Sequence, residues 1–145
     1  MSMSGFFCAF TSAQIDEMLN DNSKIDSCMW DDQAVFEGDV DNAWHVLIEI
    51  LDGAGFYCGT HVEEGGTTGA FVVSAHEVKQ EAQTLAEWTH DKVLDSLRRI
   101  APTADLYRLN IYQEDEQALL AAFDELVGFY QKAAAADLGA VLCIA

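Results

Sequence analysis

Both ends of this chain are short apolar runs, and most of what lies between them carries helical spacing. Residues 3–10 (Met-Ser-Gly-Phe-Phe-Cys-Ala-Phe) put Phe6, Cys8 and Phe10 on one face of an extended strand. Residues 140–145 form an apolar closing strand. A lone strand leaves its backbone donors and acceptors unpaired, so the two terminal strands are expected in one sheet. Helices between them then give an α+β domain, with the sheet packed against several helices. At 145 residues the chain fits one domain that buries about two-thirds of its unfolded surface.

The helices announce themselves by caps and stripes. Thr11 with Gln14 makes a capping box that opens a short helix carrying Ile15, Met18 and Leu19. Residues 22–40 are ambiguous: Ile25, Cys28, Met29 and Phe36 suit a helix, but five carboxylates dilute the pattern. From Asp41 to Asp52 the reading is sharp, because Trp44, Leu47, Ile48 and Leu51 recur at helical spacing. Ala43, Val46 and Ile50 widen that arc most of the way round, which predicts a central helix. Its narrow polar stripe is Asn42, His45, Glu49 and Asp52. Residues 53–69 hold six glycines and read as a long loop with room for a short hairpin. Ala70 to Val73 reads as a strand, and Ser74 with Glu77 as a second capping box for a helix through Trp88. Asp91 is the expected cap of the next helix, which Pro102 ends. An irregular stretch with Tyr107 and Tyr112 follows, and then a long helix from Glu114 to Ala136.

Charge narrows the functional classes. The formal net charge is −18, and its distribution is uneven: residues 1–72 hold 13 Asp or Glu against one cation, Lys24. Residues 73–145 hold 12 acids against six cations. Such a chain repels nucleic acid and anionic membrane, since phosphate binding needs cations to displace counterions. It favours a basic protein partner, a cation, or solubility alone. No apolar run reaches the roughly 18 residues of a membrane span, and the first twelve residues lack the cations of a signal peptide. The expected location is the cytoplasm, with Cys8, Cys28, Cys58 and Cys143 as reduced thiols, since no two form a CxxC pair.

Three groups of residues could carry chemistry. His45 and Glu49 stand one helical turn apart and could share a metal or act as an acid/base pair; equally, they could be the wet edge of a buried helix, with His45 bonded to backbone. Cys58-Gly-Thr-His61 in the glycine loop could be half a zinc site or a nucleophile with its base. No second pair of ligands completes the zinc site, and the neighbours are acids rather than the cations a thiolate needs. The acidic residues Asp31, Asp32, Glu37, Asp39 and Asp41 lack the glycine and glutamate spacing of a calcium-binding EF-hand loop. The glycines at 53, 55 and 59 follow a helix and have the wrong spacing for a nucleotide fingerprint.

The same segments resemble a known family, the YfbM-like bacterial proteins, a domain of unknown function numbered 1877. The start Met1-Ser-Met-Ser-Gly5-Phe6 resembles its first strand, and Asp41-Asn-Ala-Trp44-His45-Val-Leu47 resembles its most specific helix. Gly69 to Val78 and Leu126 to Leu142 match its capped helix and its closing helix and strand. Residues 20–40 and 53–68 match poorly, and Ile48 stands where the family often has a second His. The resemblance implies an α+β fold with a mixed sheet and no particular activity.

The leading functional expectation is an acidic docking domain for a basic protein, one form of which is an inhibitor or immunity-type protein. Its contact residues would be Asp31, Asp32, Glu37, Asp39, Asp41, His45, Glu49 and Asp52, with no cofactor. The alternative is a metal-assisted hydrolase using His45 and Glu49 with Cys58 and His61. That alternative expects a cleft joining the 41–52 helix to the glycine loop.

Overall fold

The computed structural model describes residues 3–25, 28, 33–63 and 69–144; Asp31 and Asp32 lie outside them. Five strands form one sheet in the order β2-β1-β5-β4-β3: β1 (Gly5–Phe10), β2 (Phe36–Asp39), β3 (Thr60–Val62), β4 (Ala70–Val73) and β5 (Gly139–Ile144). The two terminal strands pair in register from Gly5↔Ile144 to Phe10↔Gly139 and occupy the middle of the sheet. All four pairings are antiparallel, whereas the family resemblance implied a mixed sheet. A single-helix crossover would have returned β5 parallel to β4. Here several helices intervene, and the last of them delivers the chain from the opposite end.

Alternation along the strands splits the interior into two cores. Phe7, Ala9, Val73, Ala140 and Leu142 face the larger one, and Cys8, Phe10, Val72, Val141 and Cys143 the smaller. The smaller core is closed by α1 (Ser12–Asn20) through Ile15 and Met18, together with Ile25 and Cys28. The larger is closed by α2 (Trp44–Leu51), α3 (Ala75–Ala86), α4 (His90–Arg99) and α6 (Glu116–Ala135). Between the last two lies α5 (Leu109–Glu114), in the stretch expected to be irregular. Both expected capping boxes form, at Thr11 with Gln14 and at Ser74 with Glu77. The cap of α4 is Thr89 rather than Asp91, which falls in the first turn, where its charge suits the helix dipole.

Helix α2 shows burial overriding local preference. Its eight residues, Trp-His-Val-Leu-Ile-Glu-Ile-Leu, are rich in β-branched and aromatic types and too few to hold a helix alone. Yet Val46, Leu47, Ile48, Ile50 and Leu51 are all buried, each contributing about 1.5–3 kcal/mol of transfer free energy. A 3₁₀ turn at Asp41–Ala43 leads into it, and Asp52 ends it in the left-handed conformation at φ 54°. Gly53 N–H then donates to Ile48 O at 2.9 Å, closing the helix end.

Candidate functional site

The expected contact residues that the structure describes separate into three places. Glu37, Asp39 and Asp41 gather at the open edge of the sheet, where strand β2 pairs only with β1. Phe36 anchors this strand by its edge contact with Phe129 of α6, ring centroids 5.3 Å apart. Gly38 is required by a close approach: a Cβ there would stand 2.6 Å from Phe7 Cε2 and 3.3 Å from Glu125 Oε1. Val40 N–H donates to Gly5 O at 3.0 Å, and bonded pairs recur at every second residue of an antiparallel ladder. Phe36 and Gly38 therefore turn their backbone toward β1, while Glu37 and Asp39 turn theirs outward. The residues whose backbone groups are open are the same two whose carboxylates are exposed.

A shallow hollow of about 310 Å³ next to this edge is lined by Asp39, Asp41, Tyr112 and Glu125. A second, of about 190 Å³, holds Glu37, Asp124, Glu125 and Lys132. Lys132 Nζ lies 4.3 Å from the centre of the Phe36 ring. Among the described residues every ion pair lies between Lys79 and Asp137: Lys79 with Asp137, His90 with Asp124, Arg98 with Glu116, and Arg99 with Asp95. None engages Glu37, Asp39 or Asp41.

His45 belongs to a different arrangement. Its Nδ1 accepts the backbone N–H of Tyr107 at 2.9 Å, which fixes the ring against the 100–108 segment. Trp44 Nε1–H donates to Met3 O at 3.0 Å, and Met3 N–H donates to the Tyr107 hydroxyl at 3.0 Å. These side chains clasp the start of β1 to α2 and to the approach of α5. Tyr112 adds a hydroxyl bond to Asn42 Oδ1 at 2.5 Å. Glu49 on α2 and Asp52 just past its end, expected to work with His45, are exposed and line neither hollow.

Cys58 and His61 also part company. Tyr130, fully buried, donates its hydroxyl proton to Gly55 O at 2.8 Å, so the Cys58 thiol at 3.4 Å donates to the Tyr130 oxygen. Burial pushes this thiol up to about 12, and Glu81 and Glu77 add to it. A thiol held protonated in this way is no nucleophile at neutral pH. His61 points instead into a cleft of about 230 Å³, whose lining includes Ile48, Phe56, Tyr57, Phe71 and Leu142. The cleft joins α2 to the glycine loop where the hydrolase reading expected one, yet Cys58, His45 and Glu49 are not in its wall. Among the described residues no three His, Cys, Asp or Glu side chains converge as a metal would need.

The family model described as Domain of unknown function (DUF1877) matches residues 1–143, nearly the whole chain. The chain belongs to this family. Its fold is similar to that of a solved structure, the protein of unknown function YfbM from Escherichia coli. The TM-score is 0.67 at 15% identity, over 98% of this chain and 99% of that one, a likeness that speaks for the fold. No curated protein matches. Among the described residues of this DUF1877 chain no helix is long and apolar enough to cross a membrane.

Sequence reasoning missed the aromatic lining of the cleft. Tyr57 is 60% exposed, and its signal was available: a bulky aromatic set among glycines, with no helical or strand spacing to give it a core role. Phe71 gave no such signal, because it alternates within an ordinary apolar strand.

Proposed function

We propose that this DUF1877 chain is a cytoplasmic protein-interaction domain whose acidic sheet edge docks a basic protein. The observation that carries this reading is the coincidence, at Glu37 and Asp39, of open backbone groups with carboxylates that have no cation partner. A basic extended segment would gain strand hydrogen bonds from the first and charge complementarity from the second. Asp41 and Glu125 extend the negative surface beside it, with Lys132 the nearby counter-charge. The same carboxylates disfavour pairing with a second copy of this edge, because like charges would face each other. An inhibitor or immunity-type role toward a cationic enzyme is one form this docking takes.

The hydrolase alternative has less support. His45 Nδ1 is committed to the Tyr107 backbone and the Cys58 thiol to Tyr130, and neither lines the cleft that holds His61.

The test is affinity capture at low and high salt, with wild-type protein and a Glu37→Lys/Asp39→Lys/Asp41→Lys variant side by side. The reading expects a basic protein retained by wild type at low salt, weakened at high salt as screening shortens the Debye length, and lost in the variant. Equal retention by both proteins would remove its basis.

A further inference from the structure

We infer that the cleft between α2, the glycine loop and strands β3–β4 binds a small organic cation with an apolar body, of the aryl- or alkylammonium class. This reading is independent of the acidic edge. The floor of the cleft is a row across three strands: Leu142 of β5 pairs with Phe71 of β4, which pairs with His61 of β3. Ile48 and Phe56 wall it on the helix side, and Tyr57 stands at the mouth. The Tyr57 ring is tilted 47° to Phe71 at 5.5 Å, and the His61 ring lies 4.8 Å from Phe71 at 40°. Gly69 keeps the floor open, since at φ 96° a Cβ there would lie 2.9 Å from His61 Nε2.

The apolar part of the ligand follows from this lining, and its charge from what the lining lacks. Every lining residue comes from a stretch of sequence with no Lys or Arg: residues 1–23, 25–78 or 133–145. Among the described residues of this lining an anionic ligand would find no Lys or Arg, and it would enter against a net charge of −18. A cation finds the negative faces of Tyr57 and Phe71, in a site that desolvates it only partly. Most small-molecule sites combine apolar walls with few polar groups that fix orientation, and His61 is the polar group here.

Three probes of similar size separate the possibilities: benzylammonium, benzyl alcohol and benzoate, titrated into the full chain at physiological ionic strength and followed by amide chemical shifts. The inference expects shifts at Ile48, Tyr57, His61 and Phe71, with benzylammonium binding about threefold to thirtyfold tighter than benzyl alcohol and benzoate not at all. Tyr57→Leu keeps apolar bulk at an exposed position but removes the ring face, and the dispersion of its spectrum reports whether it folds. In that variant benzyl alcohol should bind as before and the preference for benzylammonium should shrink. Shifts spread over the acidic helices with none at the cleft would overturn the inference. So would benzoate binding as well as benzylammonium, or an undiminished cation preference in Tyr57→Leu, which would mark general attraction to a negative protein.

Discussion

The open edge at β2 and the helical surface formed by α3, α4 and α6 are both rich in carboxylates, but they hold them differently. On the helices each of several acids has a partner close at hand: Glu116 takes Arg98 in a two-pronged contact at 2.8 and 2.9 Å, and Asp95 takes Arg99 one turn away at 2.9 Å. At the edge Glu37, Asp39 and Asp41 have short polar contacts to their own neighbourhood, such as Asp39 Oδ1 with the Asp41 N–H at 3.0 Å. Among the described residues no ion pair reaches them. The pairing shows that several acids on the first surface are engaged by cations, while Glu37, Asp39 and Asp41 at the edge are left available.

The comparison can be broken at the edge without touching charge. Gly38→Val puts a side chain into the Phe7 ring and should cost about 1–3 kcal/mol as overpacking, read by denaturant unfolding. Docking should fall with it because β2 is displaced, although every carboxylate remains. A variant destabilised by that amount that still docks normally would show that strand geometry is irrelevant to binding.

His45→Ala tests the clasp beside that edge. It leaves the Tyr107 N–H without its acceptor, an expected loss of about 1–3 kcal/mol in unfolding free energy. If the stability is unchanged, His45 is free for the chemistry that the hydrolase alternative assigned to it.

Thiol titration sharpens the picture of the interior. Burial, then Glu37, then Cys143 push the Cys8 thiol up to about 12, and Cys58 is pushed up to about 12 as well. The unfolded chain releases these protons near the ordinary thiol value while the folded chain retains them. Stability therefore falls as pH rises from about 9 toward 12, with the slope reduced in Cys58→Ala. Thermal unfolding across that range checks the sign.

The smallest effect belongs to the paired surface. Arg98 holds the Glu116 carboxyl below the ordinary range, by its hydrogen bond first. The resulting stabilisation is present at neutral pH and is lost as pH falls through that lowered value. Because Arg98 is exposed and Glu116 partly so, Glu116→Gln should change stability only slightly, and less still in high salt.

Much of this fold was legible because its signals are local. A capping box needs only a Ser or Thr and a Glu or Gln three residues on, and both formed as read. The terminal strands declared themselves by continuous apolar character, which suits strands covered on both faces. Strand β2 did not, since an exposed edge carries Glu37, Gly38 and Asp39 and presents no apolar alternation. Helix α5 is six residues long, shorter than any periodicity can establish. The antiparallel sheet depends on where distant helices return the chain, which no local pattern encodes. Of the candidate site, the acids Glu37, Asp39 and Asp41 were visible as a cluster, but their shared edge was not. The cleft was foreseen in place and misjudged in content: Cys58 drew attention by its chemistry, while Phe71 read as an ordinary strand residue and the signal of Tyr57 among glycines was passed over.

Matched charge reversals test the central claim most directly. One variant carries Glu37→Lys, Asp39→Lys and Asp41→Lys at the edge; the other carries Asp95→Lys and Glu116→Lys on the helices and Asp137→Lys in the turn after α6, so the net charge changes equally. Association rates with the basic protein retained by wild type are measured at low salt. The account predicts a fall of tenfold or more for the edge variant, of the order that electrostatic steering provides, and a much smaller change for the helix variant. Equal slowing by both would mean that overall charge, not an open acidic edge, governs the encounter.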